Sequence, residues 1–141
     1  MAPYNPGAAF TYKQDFGIQP DGTFHPGVDF SAAPGTPIPA ASNGTVVYSG
    51  FNDTGGYGNT VIIRSIGQNG GAYYTLYGHQ NGIGMASVGS FVQQGAIIGQ
   101  VGNTGIHTGG PNAGYHLHFE VLDGAATFPY PTGGPLGPKP S

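Results

Sequence analysis

Apolar and polar residues alternate with period two over His116-Leu117-His118-Phe119-Glu120-Val121, the pattern of a strand with one face in a core. Leu117, Phe119 and Val121 form the apolar face, and His116, His118 and Glu120 share the polar one. A slip of one residue would exchange the two faces, so burial of the apolar side fixes where the histidines point. Other β-like runs lie at Thr45 to Tyr48, Thr60 to Ile66, Ala72 to Tyr77, Ile97 to Val101 and Tyr115 to Leu122, with turn residues between them. Thr60 to Ile66 and Ala72 to Tyr77 flank Gly67-Gln68-Asn69-Gly70-Gly71. Asn-Gly and Gly-Gly supply the positive φ angles of a hairpin connection, so these two runs are expected to be antiparallel neighbours.

Composition narrows the fold further. The 141 residues include 28 glycines and 13 prolines. The longest stretches free of both, Ala8 to Phe16 and Tyr115 to Asp123, are nine residues each. Both residue types penalise helix interiors, which excludes long helices. The expected fold is all-β, a single domain of short antiparallel strands in packed sheets. Residues 1–15 read as a weakly patterned lead-in and residues 16–124 as the domain. Residues 125–141, with five prolines, read as an extended or disordered tail or linker.

Charge excludes several partners. Lys13, Arg64 and Lys139 are the only basic side chains, and the formal net charge is -3. Three scattered cations cannot form the patch that nucleic acid or a polybasic membrane anchor requires. No apolar run approaches the roughly 20 residues of a spanning helix. Met1-Ala2-Pro3-Tyr4 lacks the basic start of a secretory signal. With no cysteine, any metal must be held by nitrogen and oxygen.

A second histidine motif, His25-Pro26-Gly27-Val28-Asp29, makes a metal the natural candidate. Pro26 and Gly27 argue against a helix, so His25 is expected on a loop that bends into the strand Val28-Asp29-Phe30. An imidazole and a carboxylate from this segment, with one imidazole from the His116/His118 pair, make an N2O set that leaves a fourth position open, as catalytic zinc requires. His79 ends the run Ala72 to Tyr77 and would alone be a turn residue. His107 reads as a surface group. Glu120 reads as a solvated or rim carboxylate, a role in orienting a histidine being the alternative, and is left outside the site.

These motifs occur in the order found in the lysostaphin and LytM type of zinc metalloendopeptidases, which the chain resembles from about Phe16 to Leu122. The matching segments are Phe16-Gly17, His25-Pro26-Gly27-Val28-Asp29-Phe30, Ala41-Ser42-Asn43-Gly44-Thr45-Val46, Gly56-Tyr57-Gly58-Asn59, Tyr77-Gly78-His79, Gly95-Ala96-Ile97-Ile98-Gly99-Gln100-Val101-Gly102, Thr104-Gly105 and His116-Leu117-His118-Phe119-Glu120-Val121. The resemblance implies Zn2+ held by His25, Asp29 and His118. It implies two catalytic histidines, His79 and His116, one taking a proton from the attacking water and the other hydrogen-bonding the developing oxyanion, with the assignment between them open. Zinc lowers the pKa of bound water to about 7, and histidine, with a pKa of about 6.5, titrates in the same range. One departure stands out. Where the family commonly runs Ser-Thr-Gly-Pro-His, this chain has His107-Thr108-Gly109-Gly110-Pro111-Asn112-Ala113-Gly114-Tyr115-His116, a longer loop expected to reshape one groove wall, with His107 reaching the groove as the alternative to its reading as a surface group.

The function implied is hydrolysis of a peptide bond in the stem or cross-bridge of bacterial peptidoglycan, with an extended peptide lying in a narrow β-walled groove. The enzyme is expected to act as a monomer, outside the cell, at the cell wall, in the periplasm or on a phage virion. The rival readings are a catalytically silent module of the same fold that binds cell wall or activates a partner hydrolase, and a phosphohistidine carrier, which leaves His25 and Asp29 unexplained.

Overall fold

A computed structural model describes residues 4–14, 17–18, 24–25, 27–52, 56–68, 70–105 and 114–123. Its strands are β1 (Thr11–Gln14), β2 (Gly17–Ile18), β3 (Phe24–His25), β4 (Val28–Ser31), β5 (Pro37–Pro39), β6 (Gly44–Asn52), β7 (Gly58–Ile66), β8 (Ala72–Gln80), β9 (Phe91–Val92), β10 (Ile97–Gln100) and β11 (His116–Asp123). No helix occurs among the described residues. Seven strands form one sheet in the order β1-β4-β11-β8-β7-β6-β9, and β10-β5 and β2-β3 form two small sheets. Every strand pair is antiparallel.

The alternating segment is β11, held between β4 and β8 near the middle of the large sheet. Leu117 and Phe119 enter the main core with Phe30, Ile38, Val46, Val61, Ile63, Tyr77, Ile98 and Val101, and Val121 packs against it. Burying each such side chain stabilises the fold by about 1.5–3 kcal/mol. The opposite face carries a smaller cluster of Tyr57, Ile62, Leu76 and Leu122. Both faces of the central strands are therefore covered, and the polar side of β11 is enclosed: His116 is 3%, His118 5% and Glu120 1% exposed.

The expected hairpin is present. Ile66 pairs with Ala72 across the β7–β8 connection, the Gly67 amide donates to the Gly71 carbonyl at 2.8 Å, and Gly70 adopts φ of 83°. Strand β8 runs three residues beyond the expected Tyr77, through Gly78 and His79 to Gln80. Pro37-Ile38-Pro39 forms β5 despite its prolines because it pairs only with β10 and so needs few backbone donors. Residues read as a lead-in supply β1, which pairs with β4. Ahead of β1, Tyr4 packs its ring 4.4 Å from that of Phe119 and donates from its hydroxyl to the Pro39 carbonyl at 2.6 Å.

Candidate metal centre

Strand register assembles the site. β11 pairs with β4 so that His118 lies opposite Asp29 and His116 opposite Ser31, while His118 also lies opposite Gly78 on β8. The next residue on β8, His79, has φ of 59°, the one positive value at a non-glycine among the described residues. A left-handed conformation at such a residue costs about 1–2 kcal/mol and persists only where surrounding contacts hold it. Here the His79 amide donates to the Tyr57 carbonyl at 2.7 Å, and His79 Nδ1 lies 2.7 Å from the Thr104 carbonyl. The outcome is a turn of the chain that brings the His79 ring to 4.8 Å from that of His116 and 5.8 Å from that of His118.

Thr104 is the hub that holds this end of β8. Its hydroxyl donates to the Gln80 carbonyl at 2.5 Å and accepts from the Asn59 amide at 2.9 Å. The backbones cross closely beside it: a Cβ on Gly105 would sit 2.5 Å from the Gly56 carbonyl oxygen and 2.7 Å from the Tyr57 carbonyl carbon. Only glycine permits that approach.

Hydrogen bonds set the ring tautomers. A carbonyl only accepts, so the contact to Thr104 puts the proton of His79 on Nδ1 and leaves the lone pair of the neutral ring on Nε2. Burial, followed by the neighbouring charge on His118, depresses the His79 pKa to about 3. The His79 ring is thus neutral near pH 7. His116 Nδ1 lies 3.2 Å from the Gly114 carbonyl, and its Nε2 lies 3.8 Å from Asp29 Oδ2.

His118 sits between two carboxylates. Its Nδ1 is 2.9 Å from Asp29 Oδ1, and its Nε2 is 3.2 Å from Glu120 Oε1. Burial of the ring opposes a charge there, but the hydrogen bonds to Asp29 and Glu120 and their negative charges outweigh it and raise the pKa to about 9. The proton between Nδ1 and Asp29 marks where a cation would be welcome, since a buried imidazole nitrogen and a carboxylate oxygen already face one another there. The donor set therefore fits a divalent metal of zinc type. Among the described residues alone, no three histidine or acidic side chains form a complete cage. The third implied ligand, His25, is placed by its backbone in β3, opposite Gly17; its side chain lies outside the described part, as do His107 and residues 106–113 of the long loop.

Sequence reasoning undervalued three residues. Glu120, read as solvated or at a rim, is buried because Tyr57 covers it: the Tyr57 hydroxyl donates to Glu120 Oε1 at 2.9 Å, and the Tyr57 ring lies 5.3 Å from that of His118. Alternation does place Glu120 on the histidine face, but it cannot reveal the lid. Tyr57 and Thr104 stand inside segments quoted for the resemblance, and their part in the site emerges only from contacts far apart in sequence.

The profile described as Peptidase family M23 matches residues 23–129. DD-carboxypeptidase/endopeptidase Mpg of Neisseria meningitidis serogroup B is 38% identical over 97 residues, which are 69% of this chain and 20% of that protein. Lysostaphin of Staphylococcus simulans is 35% identical over 116 residues, 79% of this chain and 22% of that protein. The chain thus spans about a fifth of the length of these relatives. Among solved structures, a mutant catalytic domain of the prophage-encoded M23 protein EnpA from Enterococcus faecalis superposes with a TM-score of 0.72 at 32% identity, covering 86% of each chain. The catalytic domain of lysostaphin from Staphylococcus simulans gives 0.66 at 32% identity, covering 84% of each. A sheet that sets Asp29, His79, His116 and His118 around one point, a profile match over most of the chain and these relatives lead to one conclusion: the chain belongs to peptidase family M23.

Proposed function

We propose that the chain is a zinc-dependent endopeptidase that hydrolyses a peptide bond in the stem or cross-bridge of bacterial peptidoglycan. The observation that carries this reading is the enclosed cluster of Asp29 with His79, His116 and His118, each at most 6% exposed, in a chain of this family. His25, Asp29 and His118 would hold the metal. Bound zinc supplies a Lewis acid that polarises the scissile carbonyl and makes water nucleophilic near neutral pH.

The chain's own groups supply the proton chemistry. His79 accepts a proton at Nε2, the atom its bond to Thr104 leaves basic. His116, between the Gly114 carbonyl and Asp29, is placed to hold a second proton and to donate from Nε2 to the developing oxyanion. Such acid–base contributions are worth about a hundred to ten-thousandfold each. An extended peptide would lie across this end of β8 and β11. Residues 16–124, with residues 4–14 packed against them, constitute the catalytic unit, with 125–141 a tail or linker, acting on cell wall outside the cytoplasm as a monomer.

The test pairs two readouts on full-length variants: zinc content after dialysis, and new amino termini released from peptidoglycan of several cross-bridge types, identified by mass spectrometry. His118→Ala is expected to lose zinc and cleavage. His79→Ala and His116→Ala are expected to keep zinc and lose cleavage at least a hundredfold. Cleavage retained by His118→Ala refutes the assignment, and zinc binding by the unaltered protein without cleavage of any substrate favours a silent wall-binding module instead.

A further inference from the structure

We infer that Glu120 and Tyr57 are a positioning pair that selects which nitrogen of His118 meets the metal; this rests on the reading of Asp29 and His118 as ligands. An imidazole can ligate through either nitrogen, and the one that ligates is set by what the other one bonds. Here Glu120 Oε1 lies 3.2 Å from His118 Nε2. Asp29 Oδ1 faces Nδ1 at 2.9 Å, and since both carboxylates accept, each nitrogen carries a proton in the metal-free ring; a metal bound beside Asp29 would replace the proton on Nδ1, while Glu120 keeps the one on Nε2. Tyr57 fastens the carboxylate by donating to the same oxygen at 2.9 Å.

The arrangement is specific in three ways. Glu120 is 1% exposed, and burying a carboxylate is costly unless it is bonded in place. Tyr57 comes from 63 residues earlier in the chain, so the oxygen is held from outside β11 as well as from within it. Gly27 borders the same pair: a Cβ there would lie 2.8 Å from Glu120 Cγ and 2.9 Å from His118 Nε2, so the absence of a side chain at this position leaves the pair its space. Neither Glu120 nor Tyr57 needs to touch substrate. Their work is done on the ligand, raising the electron density at Nδ1 and fixing the ring plane before metal arrives. Carboxylates bonded to ligating histidines typically contribute ten- to a hundredfold in metal affinity.

The experiment measures zinc affinity by chelator competition and the side-chain 15N and Nε2–H resonances of His118 in the zinc-loaded full chain. Glu120→Leu, which removes the acceptor, is expected to weaken zinc binding ten- to a hundredfold. Glu120→Gln, whose amide oxygen still accepts, is expected to restore most of that affinity while moving the Nε2–H resonance upfield. Tyr57→Phe should weaken zinc a few-fold in the parent protein and not at all in the Glu120→Leu background. Should Glu120→Leu fail to fold, Glu120→Gln and Tyr57→Phe still decide: wild-type zinc affinity and an unmoved Nε2–H signal in both overturn the inference. Unchanged zinc affinity in a folded Glu120→Leu does the same. His118→Ala separates the two levels, because loss of zinc there with full affinity in Glu120→Leu overturns only the positioning role, whereas zinc retained by His118→Ala overturns the metal reading beneath it.

Discussion

Gly27→Ala is the smallest change that should disturb the whole site. Gly27 precedes β4 and lies where that strand meets β11. An added Cβ would collide with the Phe119 carbonyl oxygen and would stand 2.8 Å from Glu120 Cγ and 2.9 Å from His118 Nε2. A carbonyl in a paired strand cannot swing aside as a flexible side chain can. Relief must come from separating β4 and β11 by several tenths of an ångström, and these strands carry Asp29 and His118 opposite one another. Overpacking of this kind costs about 1–3 kcal/mol, which at about 3–5 °C per kcal/mol for a chain of this size lowers Tm by roughly 3–15 °C. Shifts of that size also exceed the roughly 0.5 Å tolerance of a preorganised site, so zinc affinity should fall about tenfold or more. Differential scanning calorimetry with and without zinc, together with chelator competition, measures both. A Gly27→Ala protein that melts within 1 °C of the parent and binds zinc equally would refute the packing argument.

Three further outcomes are expected. In chelator-treated protein, stability should peak near pH 6.5 with limbs of different origin. His79 has its folded pKa lowered to about 3, so the unfolded chain binds more protons below 6.5 and stability falls as pH drops, by roughly 2 kcal/mol between pH 6.5 and 5. His118 has its folded pKa raised to about 9, so its contribution is complete below 6.5 and is lost as pH rises toward 9; in denaturant melts His79→Gln should flatten the acid limb alone, whereas His118→Gln should remove the alkaline limb and also shrink the acid one, because the His118 charge helps to depress His79. Gly105→Ala places a Cβ against the Gly56 and Tyr57 backbone at φ of 82°; it should lower kcat through His79 while zinc affinity, measured by competition, stays within about threefold of the parent. Tyr77→Phe leaves the half-buried Ala41 amide without the hydroxyl that accepts from it at 2.8 Å and should cost about 1 kcal/mol in a urea melt.

Period-two patterning made β11 and the β7–β8 hairpin legible, because both depend on local alternation and on turn residues that tolerate positive φ. His79 by itself read as a turn residue and gained a role only through the family resemblance, whereas Asp29, His116 and His118 were legible as candidates from their motifs. Strand β5 was not, since Pro37 and Pro39 read as breakers and are tolerated only because one edge of that strand is unneeded. The burial of Glu120 was hidden as well. Alternation reports which face a side chain shares, whereas enclosure depends on Tyr57, contributed by a distant turn.

Tyr4 bears on how this module can be cut and joined. Its ring rests on Phe119, the residue between His118 and Glu120, and its hydroxyl ties β5 to the same spot. The segment ahead of β1 is therefore a prop behind the ligand strand, on the side away from the metal. A chimera that fuses a foreign domain directly onto residue 11 would discard that prop, while one joined upstream of Tyr4 would carry it along.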